Sequence, residues 1–218
     1  MIWGIYLAAG ESKRMGRPKL SMPINGHPLG GIALHAAMTS TLDGVIVVSR
    51  MEDSLDWMSE DVRDSPEFQK KWIHAPCEAA CLGMSESLKT GLRTAQSRQA
   101  NAVMVLLADQ PYVTAKMIDD YVSAYKHEKK AFIASSHQGI TRPPVLFDAC
   151  MFPHLHQLHG DEGARRILQM HEKEKGMMVA WQDKRYFIDI DTPGDYERLL
   201  GEEEDEGWKA TIFFPHSI

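Results

Sequence analysis

The sequence predicts an α/β fold, a mostly parallel sheet with helices packed on both sides. Three observations predict it. Continuous apolar runs rich in β-branched residues recur along the chain, stretches of helical pattern separate them, and no repeat or linker divides the whole. The chain has 218 residues, 44% hydrophobic and 25% charged. That is ordinary globular composition, long enough to bury a large core without a disulfide framework or a structural metal.

The elements follow in order. Residues 2–8 and the run Val45-Ile46-Val47-Val48 read as strands buried on both faces, with a helix over about 28–41 between them. A second helix over 83–97 precedes Val103-Met104-Val105-Leu106-Leu107, which repeats the strand pattern. Thr114 can cap a helix over 114–128. Ala131-Phe132-Ile133-Ala134 and Val145-Leu146-Phe147 are weaker copies of the strand pattern. A helix over 161–173 places Ala164, Ile167, Leu168 and His171 on one face. Residues 177–181 form a further strand candidate, and Thr192 followed by Pro193 opens a last helix over 194–200. After it, Glu202-Glu203-Glu204-Asp205-Glu206 repels itself and is expected to be solvated and mobile.

The formal charge is −6, from 24 Lys+Arg against 30 Asp+Glu. A nucleic-acid partner is therefore not expected, since its electrostatic footprint is basic. The global figure says nothing about small anions, because five of the acids lie in the 202–206 run and residues 1–20 are locally basic. Three cysteines are too few, and odd in number, for a disulfide framework. Residues 1–10 lack the basic start of a signal peptide, and no apolar run approaches a membrane span. The expected location is cytoplasmic, with no membrane partner.

In an open α/β sheet, ligands bind where strands end at their carboxyl edge. Three segments there are unusual. The first is Leu7-Ala8-Ala9-Gly10-Glu11-Ser12-Lys13-Arg14-Met15-Gly16-Arg17-Pro18-Lys19-Leu20. Small residues allow a close backbone approach, and Lys13, Arg14, Arg17 and Lys19 complete an anion cradle. It is neither a P-loop nor a dinucleotide fingerprint, because the glycine spacing differs. The second is Ala108-Asp109-Gln110-Pro111, an acid just past a buried strand. The third is Asp189-Ile190-Asp191, whose two carboxylates fall on one face of an extended segment. That leaves two like charges uncompensated, which a divalent cation would relieve.

His74, Cys77 and Cys81 imitate a zinc site, but four ligands are wanted and no second cysteine pair exists. Buried thiols are the expectation. His154, His156 and His159 are read as solvated or packing residues, one of them a minor contact to an anionic acceptor at most. Trp57, Met58, Trp72 and Trp181 are assigned to packing.

The first segment, read as a whole (Leu-Ala-Ala-Gly-x-Ser-x-Arg-Met-Gly-x-x-Lys-Leu), resembles the signature of MobA-like NTP transferases. Its opening is similar to the molybdenum cofactor cytidylyltransferase branch, whereas the guanylyltransferase branch usually opens Leu-Ala-Gly-Gly. Leu107-Ala108-Asp109-Gln110-Pro111, Gly83-Met84-Ser85-Glu86-Ser87-Leu88, Gly160-Asp161-Glu162-Gly163-Ala164-Arg165 and Asp189-Ile190-Asp191-Thr192-Pro193-Gly194-Asp195-Tyr196 also resemble the family's motifs, in order. Two departures stand out: no Gly follows Arg142, and His74-Ala75-Pro76 stands where relatives often carry Asn.

The resemblance implies a single Rossmann-like nucleotidyltransferase domain over residues 1–200, with the NTP site mainly in 1–110, the acceptor side mainly in 130–195, and an acidic tail over 201–218. It implies nucleotide contacts from Leu7, Ala8, Ala9, Gly10, Ser12, Arg14, Lys19, Gly83 and Ser87. Arg14, Lys19 and Asp109 are the implied catalytic residues, and Gly160, Asp161 and Arg165 lie on the acceptor side. Mg2+ is implied on Asp109 and Asp191, with Asp189 the alternative to Asp191. The implied activity is transfer of CMP from CTP to the phosphate of a molybdopterin-type cofactor, releasing pyrophosphate. That would support a molybdenum hydroxylase such as xanthine dehydrogenase through transient contact, as in accessory relatives of the family. The alternatives are transfer to another phosphorylated acceptor, of guanylyl or sugar-phosphate type, and a non-catalytic cofactor carrier.

Overall fold

In the computed structural model, which describes residues 1–137, 140–161, 167–168, 176–181 and 183–206, seven strands pair into one sheet. The elements in chain order are β1 (Ile2–Leu7), β2 (Pro23–Ile24), β3 (His27–Pro28), α1 (Leu29–Thr39), β4 (Gly44–Arg50), α2 (Glu60–Asp64) and β5 (Trp72–Cys77). There follow α3 (Met84–Ser97), β6 (Ala102–Leu107), α4 (Ala115–Glu128), β7 (Phe132–His137), β8 (Ile140–Asp148), α5 (Phe152–His156), β9 (Gly176–Ala180) and α6 (Pro193–Glu206). The sheet order is β5-β4-β1-β6-β8-β7-β9. Only β8 runs against its neighbours; β1, β4, β5 and β6 are mutually parallel, and so are β7 and β9. The small β2–β3 hairpin stands apart.

Why the central strands read as unbroken apolar runs is visible in their packing. Tyr6, Val45, Val47, Met104 and Leu106 face one side, against Leu34 and Met38 of α1 and Ile118 and Tyr121 of α4. Ile5, Leu7, Ile46, Val48, Val103 and Val105 face the other, against Leu88 and Leu92 of α3 and Leu155 of α5. Side chains alternate along a strand, so a strand covered on both faces must be apolar at every position. Helix α3 comes unusually close to the sheet, since a Cβ on Gly91 would stand 2.4 Å from the Ile5 side chain. A third cluster, with Met15, Met22, Ile24, Leu29, Tyr112, Ile190 and Tyr196, joins the first loop to α6.

The predicted fold class holds, and so do the six strands and all the helices but one within their ends. Of the helix expected over 161–173, Ile167 and Leu168 are helical and buried, and the segments 162–166 and 169–173 lie outside the described residues. β5 escaped the sequence pattern because it is an edge strand: only Ala75 and Cys77 are fully buried, and Pro76 is tolerated there for want of a second neighbour. The acidic run 202–206 does not follow the last helix but belongs to it, since α6 continues to Glu206. Glu is a good helix former, and this helix is firmly capped at its start (below). Cys77 is buried as expected, whereas Cys81 and Cys150 are exposed. Cys81 sits in a surface 3-10 turn, Ala80–Leu82, with no core to enter.

Helix α4 is tied to the antiparallel β8 by the Tyr125 hydroxyl, which donates to Asp148. Burial pushes the Asp148 carboxyl up, but that bond and the Cys150 and Ala149 backbone N–H groups outweigh it and hold it below the usual range. A depressed carboxyl contributes stability that is present above its unfolded pKa and lost as pH falls through its folded one. Tyr125→Phe should therefore cost about 1 kcal/mol at pH 7. Urea unfolding of both proteins from pH 7 down to about pH 3 should show this difference shrinking only at the acid end.

Candidate functional site

β1 is where the strand order reverses: β4 and β5 lie on one side of it and β6 on the other. The loops leaving the carboxyl ends of adjacent β1 and β6 lie side by side at this point, on the edge where open α/β sheets have their ligand crevice. The first loop enters it tethered at its base. Ala8 N–H donates to Val48 O at 2.8 Å, and Arg50 Nε donates to Ala9 O at 3.2 Å. The Arg50 guanidinium also faces Glu11 at 3.2 Å. Beyond that, the loop folds on itself. The Ser12 carbonyl accepts the Met15 and Gly16 N–H groups, both at 3.1 Å, and the Ser12 hydroxyl accepts the Lys19 N–H at 3.0 Å. Gly16 has a φ of +69°, which a side chain would resist. Buried Met15 then pins the loop onto Ile190 and Tyr196.

That fold delivers Lys19 to the middle of the crevice. Its side chain is only 9% exposed. Its ammonium donates to Asp109 Oδ2 at 2.6 Å and to Asp191 Oδ1 at 2.8 Å. Arg14, largely exposed, donates to Asp191 Oδ2 at 2.8 Å. Burial alone would push the Lys19 ammonium down, but Asp109 and Asp191 more than reverse it and raise it above its ordinary value. A buried ammonium of this kind is tolerated only because both carboxylates bind it.

Asp109 reaches the same point from β6. The Ala108 N–H donates to Leu7 O at 3.2 Å, and Asp109 O accepts the Ile190 N–H at 3.0 Å. The other carboxylate oxygen, Oδ1, is buried with no hydrogen-bond partner among the described residues. Asp189 points elsewhere. It accepts from Gln110 Nε2 at 2.7 Å and from Arg142 at 3.1 Å. Its carboxyl is raised, first by burial and then by the neighbouring charge of Asp109. The expectation that Asp189 and Asp191 stand uncompensated on one face is thus corrected, because Arg142 pairs with Asp189 while Lys19 and Arg14 pair with Asp191. Asp191 shares Lys19 with Asp109; Asp189 does not. After Asp191 the chain enters α6 through a reciprocal cap. Thr192 Oγ1 accepts the Asp195 N–H at 3.2 Å, and Asp195 Oδ2 accepts the Thr192 N–H at 2.9 Å.

The start of α3 and the Gly160–Asp161 turn meet across the fold. Gly83 has a φ of +118°, and a Cβ on it would lie 2.3 Å from the Gly160 backbone. The Ser85 N–H donates to Gly160 O at 3.0 Å. Ser87 is buried, and so is Ser85, whose hydroxyl has no partner among the described residues. The expected nucleotide contact at Gly83 and acceptor contact at Gly160 and Asp161 therefore share one junction. Arg165 lies outside the described residues. Of the remaining loop cations, Lys13 pairs with Glu11 and Arg17 stacks over Tyr196, 5.8 Å from the ring centre. No group of three His, Cys, Asp or Glu residues suited to a metal occurs among the described residues, and His74 bonds Ser49 Oγ at 2.8 Å instead.

Two site residues escaped the sequence reading. Arg50, which clamps the first loop, is a charge on the last residue of a buried strand, a signal akin to the one that singled out Asp109. Gln110, almost fully buried, gave no signal beyond its place in the Asp109-Gln110-Pro111 turn. Thr114, by contrast, caps α4 as expected, accepting the Met117 N–H at 3.2 Å.

Residues 4–175 match the MobA-like NTP transferase domain. The chain is 38% identical over 197 residues to the purine catabolism protein PucB of Bacillus subtilis, covering 90% of this chain and 94% of that protein. It is 25% identical over 198 residues to a probable molybdenum cofactor guanylyltransferase of Mycobacterium avium, covering 90% and 93%. Its fold is similar to a crystal structure of the Rv0371c homologue from Mycobacterium sp. strain JC1, with a TM-score of 0.73 and 24% identity, covering 92% of this chain and 96% of that one.

The Gly83 junction yields a direct test. Gly83→Ala must strain a positive φ and displace the Gly160 backbone, at a cost of about 2 kcal/mol or more. Thermal unfolding should fall accordingly, and hydrogen exchange at Ser85 should speed up. Unchanged stability with unchanged protection at Ser85 would show that the two segments are not docked in solution.

Proposed function

The chain belongs to the MobA-like NTP transferase family, and we propose that within it the chain transfers CMP from CTP to the terminal phosphate of a molybdopterin-type cofactor. The observation that carries this reading is the Asp109–Lys19–Asp191 cluster in the crevice between β1 and β6, with Arg14 at its edge. Ala9, where the guanylyl branch usually has Gly, supports CTP over GTP. A relative named for purine catabolism supports a role in equipping a molybdenum hydroxylase such as xanthine dehydrogenase.

Residues 109 and 191 fit a divalent cation. Asp109 Oδ1 is a hard oxygen donor, buried and without a partner among the described residues. Mg2+ keeps waters and phosphate oxygens in its shell, so two carboxylates suffice as its protein ligands. Bound there, Mg2+ would neutralise the α-phosphate and the acceptor phosphate and so lower their repulsion.

The chain's own residues do the rest. An acceptor phosphate is already ionised near neutral pH, so no general base is needed. Its oxygen forms a bond to the α-phosphorus of CTP while the α–β bridging bond breaks, and the electron pair leaves on pyrophosphate. Ala8, Ala9 and Gly10 bring the backbone close to the triphosphate, and Lys19 and Arg14 bind its oxygens as charge grows on the leaving group. Gly83 and Ser87 would contact the nucleotide, and Gly160, Asp161 and Arg165 the acceptor, so that the two substrates would meet near the junction Gly83 shares with Gly160.

Pyrophosphate release with purified cofactor and each of CTP, GTP, ATP and UTP tests the proposal. CTP should be the productive nucleotide, and Asp109→Ala should lower kcat by about a hundredfold or more with the fold retained by circular dichroism. A response to GTP alone would move the assignment to guanylyl transfer, the activity named for the mycobacterial relative. A thermal shift with cofactor but with no nucleotide would favour the carrier. Wild-type kcat in Asp109→Ala would remove that residue from the metal site.

A further inference from the structure

We propose that Lys19 is a tethered counter-ion that holds the place of the divalent cation in the nucleotide-free protein, so that the metal enters only together with a triphosphate. The inference rests on the metal assignment above and adds an order of binding to it.

The geometry is specific. One ammonium bonds both carboxylates, Asp109 at 2.6 Å and Asp191 at 2.8 Å. It is almost fully buried, and it comes from a loop held by the Ser12 turn and by Arg50 rather than from a free surface chain. Without it, Asp109 and Asp191 would face each other close to Asp189, with Arg14 on Asp191 and Arg142 on Asp189 as the remaining cations bonded to them among the described residues. Mutual repulsion would then spread the loops after β1 and β6 apart. Lys19 removes that repulsion in the absence of any ligand.

The same contact obstructs a free cation. Asp109 Oδ2 and Asp191 Oδ1 are already taken, and the competing ammonium is attached to the site, so its local concentration is high. A hydrated dication must shed water and displace that ammonium at once. A triphosphate changes the balance. Its oxygens offer Lys19 and Arg14 another anion only a side-chain movement away, and the released carboxylate oxygens become available to the metal that the triphosphate carries. Lys19 thus serves in two places in turn, on the carboxylates when the site is empty and on the phosphates when it is filled.

Mn2+ titration of the nucleotide-free protein, followed by the electron paramagnetic resonance signal of free Mn2+, tests this without any turnover. Wild type should bind Mn2+ alone at least tenfold more weakly than Lys19→Met or Lys19→Gln. Both variants should melt lower than wild type without metal and regain stability when Mn2+ is added. Adding CTP should tighten Mn2+ binding to wild type at least tenfold. Variants that bind Mn2+ no more tightly than wild type would overturn the proposal. So would wild type binding Mn2+ equally well with and without CTP, an outcome readable even if both variants fail to fold. If no nucleotide binds wild type under any condition, the cytidylyl reading fails instead, while the comparison on Mn2+ alone still judges Lys19.

Discussion

One ammonium group holds three distant parts of this chain together. Lys19 lies 90 residues from Asp109 and 172 from Asp191, and the crevice has its shape because all three meet. The cost of burying a charge makes the arrangement exacting. An ammonium with one partner missing would be expelled to solvent, and two carboxylates without it would separate. The loops after β1 and β6 and the segment before α6 are therefore fixed relative to one another by a charge condition as well as by contact.

The surrounding structure serves that condition. Adjacent β1 and β6 bring the loops after Leu7 and Leu107 side by side, with the Ala108 N–H bonded to Leu7 O. The cluster of Met15, Met22, Ile24, Tyr112, Ile190 and Tyr196 packs the first loop against the segment leading into α6, adding apolar contact to the ion pairs. Arg142 and Gln110 take Asp189 out of competition for Lys19. Arg142 can do so because β8 is irregular just after it. The register of β8 against β7 shifts across Pro143 and Pro144, which have no N–H to give the ladder. The missing glycine after Arg142 thus sits beside a strand irregularity built from two prolines.

Much of this was legible in the sequence. The central strands and the helices against them were readable because burial on both faces leaves an unmistakable apolar run. Asp109 was legible as an acid just past a buried strand, whereas Lys19 stood out only as one of four cations in the first loop and, like Asp191, was singled out by the family resemblance. β5 was not readable, since an edge strand with exposed His74 and Pro76 carries half the signal. The continuation of α6 through Glu206 was not readable either, because charge repulsion argued one way and the Thr192–Asp195 cap with the helix preference of Glu argued the other. Gln110 acts through Asp189, 79 residues away in the chain, and no local pattern announces such a partnership.

The sequence by itself determined the α/β class, the family, and the kinds of residue that gather at the crevice, because those follow from periodicity and from short motifs read in order. Which carboxylate shares the lysine was decided only by the tertiary structure. Asp189 and Asp191 are two residues apart and chemically identical, and local geometry puts both on one face. Only the positions of Arg142 and Gln110 on one side, and of Arg14 and Lys19 on the other, separate them. A carboxylate's role is set by the charges that three-dimensional packing brings to it, and those charges come from strands and loops more than a hundred residues away in one case and fewer than fifty in the other.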